Sequence, residues 1–283
     1  MHTPSASQLR KAQAFRDRHY QGDGFIIPNP WDAGSARLLA QTGFEALATT
    51  SAGLAFAQGL PDGAVPRDRV LAHLSDIAEA TDLPVNADLE NGYGDAPEAA
   101  AEAIRLAAQA GAVGGSIEDS TGRADQPVYD IGFAAERVRA AAEAARALPI
   151  PFMLTARAEN FFIGRNDLAD TIARLQAYQE AGADVLFAPG LRNAQDIATV
   201  VRSVDRPVNV LAGFGGMVLN AQDLFALGVR RVSVGGGLAR AAWGAVQRAA
   251  LEMRARGSFS YLDDAASGAE LNAMFRPHAA PRP

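Results

Sequence analysis

Residues 84–98 read Pro-Val-Asn-Ala-Asp-Leu-Glu-Asn-Gly-Tyr-Gly-Asp-Ala-Pro-Glu, an alanine-rich run carries the chain to Ala110, and residues 111–119 read Gly-Ala-Val-Gly-Gly-Ser-Ile-Glu-Asp. This stretch is one strand, one helix and a second strand. Residues 85–88 and 115–118 are short apolar runs bounded by glycine or acidic residues, the pattern of a buried parallel strand. Pro97 suits a first helical turn and Gly111 a helix C-terminus. Both strands end in carboxylates, Asp88 with Glu90 beyond it and Glu118, at the end of a parallel sheet where ligands collect.

The same unit recurs along the chain. Strands are predicted at 25–28, 46–50, 85–88, 115–118, 151–155, 185–188, 208–211 and 231–234. Helices follow at 33–41, 67–81, 97–110, 133–147, 167–181, 193–204, 221–227 and 238–256. Gln41-Thr42-Gly43-Phe44, Gln109-Ala110-Gly111-Ala112, Glu180-Ala181-Gly182-Ala183 and Ala226-Leu227-Gly228-Val229 each close a helix and open a strand. Eight alternations predict an α/β fold, a (β/α)8 TIM barrel over about residues 20–256. A helical tail at 258–283 extends it, with helix from 265 to 275. No shift of composition marks a second domain, so 1–283 is expected to be a single barrel domain.

Composition narrows the function. The chain has 283 residues, 48% of them hydrophobic, and a formal charge of −6, with a sequence pI near 5.3. Without a block of Lys or Arg there is no footprint for nucleic acid or an anionic membrane. No apolar run approaches a membrane span, and the polar first thirteen residues lack a secretory h-region, so a cytoplasmic location is expected. Cysteine is absent, which removes disulfides, thiolate ligands and a cysteine nucleophile. His2, His19, His73 and His278 fall in termini or helices and receive no role.

Three carboxylates at neighbouring strand ends repel unless a cation holds them ionised. Asp88, Glu90 and Glu118, as an oxygen-only set, point to Mg2+, with Mn2+ as a substitute. Asp88 and Glu90 share a face if the extended chain continues past the strand tip. Arg157 ends the fifth strand, and its planar fork suits a carboxylate or phosphate; the bland alternative is an ion pair with Glu159 or Glu118. Thr50, Ser51 and Ala52 follow the second strand, offering hydroxyls and backbone N–H groups to an anion, or merely a turn. Asp62 lies in a long loop, which is uncommon without a function. Trp31 walls a ligand or covers the barrel top; Asn209 points into the mouth or is a satisfied core amide.

Asn29-Pro30-Trp31-Asp32-Ala33-Gly34-Ser35-Ala36, Thr49-Thr50-Ser51-Ala52-Gly53, Asp88-Leu89-Glu90-Asn91-Gly92-Tyr93-Gly94, Ile117-Glu118-Asp119 and Ala156-Arg157 together resemble the isocitrate lyase / phosphoenolpyruvate mutase superfamily. The resemblance implies a barrel whose eighth helix is exchanged between subunits, giving a homodimer or homotetramer. It implies Mg2+ near Asp88, Glu90 and Glu118, often through waters, and a mobile gating loop carrying Asp62. Arg157 would bind a 2-oxo acid carboxylate, with the 50–52 segment on its other carboxylate or oxyanion. Catalytic roles would fall to Arg157, Glu118 and Asp62, and substrate contacts to Trp31, Thr50, Ser51, Ala52, Asp88, Arg157 and Asn209.

Departures from the pattern select the reaction. Isocitrate-type lyases resemble Lys-Lys-Cys-Gly-His at their gating segment, where this chain has Ser120-Thr121-Gly122-Arg123-Ala124. The phosphonate enzymes carry a Lys-Thr-Asn-like segment and an aromatic where Ala48 stands. The expectation is therefore a Mg2+-dependent carbon–carbon lyase acting on an oxaloacetate- or 2-oxoglutarate-like 2-oxo acid through an enolate, in the cysteine-less, oxaloacetate decarboxylase-like branch. A phosphonopyruvate- or phosphoenolpyruvate-type phosphorus–carbon enzyme and a non-catalytic 2-oxo acid binding protein are the alternatives.

Overall fold

A computed structural model describes residues 3–279. After helix α1 (Ala6–Tyr20), strand and helix alternate: β1 (Phe25–Ile27), α2 (Ala33–Gln41), β2 (Leu47–Ala48), α3 (Ser51–Ala57), α4 (Arg67–Ala80), β3 (Val85–Asp88) and α5 (Pro97–Gln109). Then come β4 (Gly114–Glu118), α6 (Ile131–Arg146), β5 (Met153–Arg157), α7 (Leu168–Ala181), β6 (Val185–Phe187), α8 (Ala194–Arg202), β7 (Val208–Leu211), α9 (Ala221–Ala226), β8 (Arg231–Ser233), α10 (Gly237–Arg256) and α11 (Gly268–Phe275). All strand pairs are parallel, in the order β1-β8-β7-β6-β5-β4-β3-β2. The seam between β1 and β2 is closed by a backbone bond from Ala48 N to Pro28 O (3.1 Å) and by the Asn29 amide, which donates to Thr49 O (2.9 Å). The expected (β/α)8 barrel is formed.

Local chemistry explains the boundaries. Asp32 caps α2 in a reciprocal capping box with Ser35, satisfying otherwise orphaned N–H groups. Pro97 opens α5, and Gly182 ends α7 at φ 108°, a left-handed cap that costs other residues strain. Alanine-rich faces of α5 and α6 bury Ala100, Ala103, Ala107, Ala141 and Ala145; their small side chains allow the helices to lie close to the sheet and to each other.

Three differences from the sequence expectation have physical causes. Helix α1, not anticipated because its exposed face is strongly polar, underlies the barrel: Phe15 and His19 are buried, and a Cβ on Gly114 would meet the Phe15 ring at 2.8 Å. The segment after β2 is not a plain turn but the start of α3, capped by the Thr50 hydroxyl accepting from Gly53 N (3.2 Å). The tail helix begins at Gly268 rather than 265, after a 3-10 turn at Ser260–Asp264. Among the described residues, no helix is long and apolar enough to cross a membrane.

Candidate active site

The C-terminal strand ends open into a cavity of about 740 Å³ whose lining includes Thr50, Ser51, Ala52, Asp62, Asp88, Glu90, Glu118 and Arg157. Sequence reasoning named all of these, and the barrel brings them together. Register does much of the work: Glu118 lies opposite Arg157 across β4 and β5. Arg157 Nη1 stands 3.1 Å from Asp88 Oδ1 and 3.1 Å from Glu118 Oε2, while its Nε donates to Glu159 Oε1 at 2.9 Å. The guanidinium also lies over the Phe187 ring, 5.2 Å from its centroid, so its plane is fixed from both sides. The ion-pair reading of Arg157 is the observed geometry, with both Glu159 and Glu118 as partners.

Asp88 is held by backbone and side chain alike. Its Oδ2 accepts from Ser51 N at the start of α3 (3.0 Å), and its own N–H donates to Thr49 Oγ1 (2.8 Å). Glu90 reaches the cavity by a different route from the one expected. Its φ is 50°, so the chain leaves extended geometry just past β3, and a left-handed residue rather than strand alternation aims the carboxyl. Glu118 N donates to Glu90 O (3.0 Å), pinning that turn to β4.

Electrostatics are dominated by surplus negative charge. Burial, then the neighbouring Asp88 and Asp62, push the Glu90 carboxyl up to about 7. Glu118 is driven well above the ordinary carboxylate range by burial, against the pull of Arg157. Asp62 is raised by desolvation, partly opposed by the Ser51 side chain. One guanidinium thus faces Asp62, Asp88, Glu90, Glu118 and Glu159. This imbalance fits a divalent cation, which would relieve it. Among the described residues, no three acidic or histidine side chains converge closely enough to surround an ion by themselves.

Other expected residues are placed differently. Trp31 packs its Cβ beside Gly53 and gives its carbonyl to His73 Nε2 (2.8 Å); it supports α3 from behind instead of lining the cavity. Asn209 borders the cavity, yet its Oδ1 accepts from Arg231 Nε (2.9 Å) and its Nδ2 donates to Ser233 Oγ (3.0 Å), the satisfied amide of the bland reading. Glu159, which the sequence offered as an ion-pair partner of Arg157, is found at its Nε, as its position two residues beyond a strand-end arginine suggested. Sequence reasoning missed the role of Asp119, which turns away from the cavity to accept from Glu159 N (2.8 Å), Arg174 Nη1 (2.9 Å) and Tyr178 OH (2.6 Å). Ser120 and Val128 form an antiparallel bridge that sets Ser120, Thr121 and Gly122 at the rim.

The family model for phosphoenolpyruvate phosphomutase matches residues 15–254. The chain belongs to the phosphoenolpyruvate mutase / isocitrate lyase superfamily. A Burkholderia cenocepacia J2315 protein with a provisional lyase/mutase designation is similar in structure, at 60% identity, TM-score 0.94 and 98% coverage of both chains. Among curated relatives, 2-methylisocitrate lyase of Escherichia coli K12 is 31% identical over 75% of this chain and 73% of its own. Oxaloacetate decarboxylase of Pseudomonas putida GB-1 is 29% identical over 81% of this chain and 80% of its own. A phosphonopyruvate hydrolase solved with oxalate and Mg2+ shares 25% identity, covering 95% of both chains at TM-score 0.84. These are lyase and related carbon–carbon or phosphorus–carbon enzymes, and this superfamily member is an enzyme of that class.

Proposed function

We propose that the chain is a Mg2+-dependent lyase of 2-oxo carboxylates, with decarboxylation of oxaloacetate the reaction its groups fit best. The observation that carries this reading is the Arg157 guanidinium ion-paired among a surplus of strand-end carboxylates. Asp88, Glu90 and Glu118 would hold Mg2+, in part through waters, and the bound ion would supply Lewis-acid stabilisation of charge growing on the C2 oxygen. The phosphonopyruvate hydrolase that binds oxalate and Mg2+ supports that metal.

Arg157 would orient the substrate carboxylate through Nη2, the nitrogen that Asp88, Glu118 and Glu159 leave free, with the guanidinium held by Phe187 and Glu159. Ser51 and Ala52 border the remaining anionic end of the substrate. As the C3–C4 bond breaks, its electron pair passes to the C2 carbonyl, CO2 leaves, and a proton taken up at C3 gives pyruvate. This route needs no protein acid to expel the leaving group. The inventory agrees: cysteine is absent, and the single lysine, Lys11 on α1, donates to Thr81 O (2.6 Å) after α4, while no His or Lys is among the described residues lining the cavity. Asp62, on the loop between α3 and α4, closes over the cavity rim. The oxaloacetate decarboxylase of P. putida supports the substrate class.

Helix α10 buries only Ala239 and exposes Trp243, Val246 and Leu251, an apolar face that exchange between subunits of a homodimer or homotetramer would cover. A cytoplasmic setting suits a cysteine-free enzyme of small metabolites. The deciding experiment measures pyruvate released from oxaloacetate by purified protein with Mg2+, against Mg2+ alone. Acceleration that Asp88→Ala abolishes supports the lyase; a background rate with measurable ligand binding supports a non-catalytic 2-oxo acid binding protein instead.

A further inference from the structure

Below the carboxylates, the barrel interior is lined by Asn86, Ser116, Thr155, Asn209 and Ser233, all buried. Parallel barrels usually fill these layers with branched apolar side chains. Among them lies Arg231, the first residue of β8, 3% exposed. Its Nε donates to Asn209 Oδ1 (2.9 Å) and its Nη2 to Thr155 Oγ1 (2.9 Å), while Nη1 meets His19 Nε2 at 3.3 Å. His19 Nδ1 is 2.7 Å from Phe15 O. A carbonyl only accepts, so Nδ1 carries the proton and Nε2 accepts from Arg231. All three partners are neutral.

A guanidinium has five N–H donors, and these contacts use three. The buried acids are committed elsewhere: Asp88, Glu118 and Glu159 to Arg157, and Asp119 to Arg174. Among the described residues, no carboxylate pairs with Arg231. Burial alone pulls its guanidinium down to about 9, so it remains charged at neutral pH. Water can satisfy an N–H, but it does not compensate a desolvated charge. The cavity reaches this floor, since Arg231, Asn86, Ser116, Asn209 and Ser233 all line it. The contrast with Arg157 is sharp: that residue already has three carboxylate partners, and Arg231 has none.

We propose that Arg231 anchors a buried anion site at the cavity floor, taking a small singly charged anion, a carboxylate group or a halide, on its two uncommitted N–H groups. The five polar side chains around it shape the chamber, and the neutral Nε2 of His19 keeps the guanidinium raised toward the cavity from below. A carboxylate arriving there is either one arm of a dicarboxylate ligand or a free anion.

The test compares thermal midpoints at constant ionic strength as sodium gluconate, too large for the floor, is replaced by sodium chloride or formate. Wild-type protein should rise by several degrees and Arg231→Gln should not, the variant serving as control for general salt effects. An absent rise, or an equal rise in the variant, overturns the site. Should Arg231→Gln fail to fold, wild-type crystals grown in bromide decide: an anomalous peak against Arg231 supports the site, and its absence from the floor rejects it. Two further arms, read as binding and so independent of any lyase activity, identify the source. Chloride that weakens oxaloacetate binding but not pyruvate binding places a substrate arm on Arg231; unchanged affinities make the free anion the resident.

Discussion

Arg157 and Glu118 are register partners on β5 and β4 and are also ion-paired, 3.1 Å apart. Strand pairing therefore fixes the backbone beneath the pair, and the side chains meet with little freedom left to lose. The arginine draws these carboxylates together and opposes, without cancelling, the upward push that burial gives Glu118 and Glu159.

Arg157→Gln should strip Asp88, Glu118 and Glu159 of their shared cation. Removing one partner of a buried pair typically costs about 3–5 kcal/mol. The variant is expected to melt lower than wild type in EDTA, and to recover part of the difference in Mg2+, because a ligand of the folded state stabilises by mass action. Equal melting of the two proteins in EDTA would mean that Arg157 does not hold the cluster together.

Asp119→Asn tests the support behind the cavity. Asp119 receives Arg174, Tyr178 and the Glu159 backbone, so the amide takes from the buried Arg174 one of its two carboxylate partners, Asp170 being the other. The loss in denaturant unfolding should be several times that of Glu102→Ala, which breaks the exposed Arg105–Glu102 pair (2.9 Å) and should cost ~1 kcal/mol or less. Comparable losses would show that the network is not structural.

Gly92→Ala addresses how Glu90 is aimed. Gly92 has φ 84°, and an added Cβ would lie 2.9 Å from Ala100 Cα, a backbone atom of α5. Gly43 has φ 93° with nothing within 4 Å. Conformational strain alone, roughly 1–2 kcal/mol, is expected for Gly43→Ala, and more for Gly92→Ala, with loss of Mg2+-dependent stabilisation as the Glu90 turn shifts. Identical melting curves for the two variants would refute the steric argument.

His19 gives a signed pH effect. Desolvation, then the Arg231 charge, lower its folded value to about 3, against about 6.5 in an unfolded chain. Its folded value is the depressed one, so its contribution is fully present above pH 6.5 and is lost as pH falls toward 3. The stability gap between wild type and His19→Gln should therefore narrow between pH 7 and pH 4. Taking the difference removes the carboxylates with raised values, whose effect has the opposite sign. A gap that stays constant over this range would contradict the assignment.

The barrel was legible because each strand–helix unit carries its own punctuation: apolar runs of strand length, Pro97 at a helix start, and glycines such as Gly111 and Gly182 at helix ends. The acidic strand ends were legible for the same reason, since a strand end in such a barrel is a place in the site. Residues that depend on contacts between distant segments were not. Asn209 and Arg231 meet only once β7 and β8 pair, and α1 reveals its buried stripe only with the barrel above it. Glu90 was found by type but not by path, because nothing local marks a non-glycine residue as left-handed.

The seam between β1 and β2 has a mechanical consequence. Elsewhere around the ring the strands are zipped by regular ladders; here, one backbone bond at Ala48 and the Asn29 amide do the fastening. Such a place breathes first. Thr49, Thr50 and Ser51 run directly from that seam into the cavity wall, so occupancy of the cavity should tighten it, and slowed amide exchange at Ala48 would register an arriving ligand without any need for turnover.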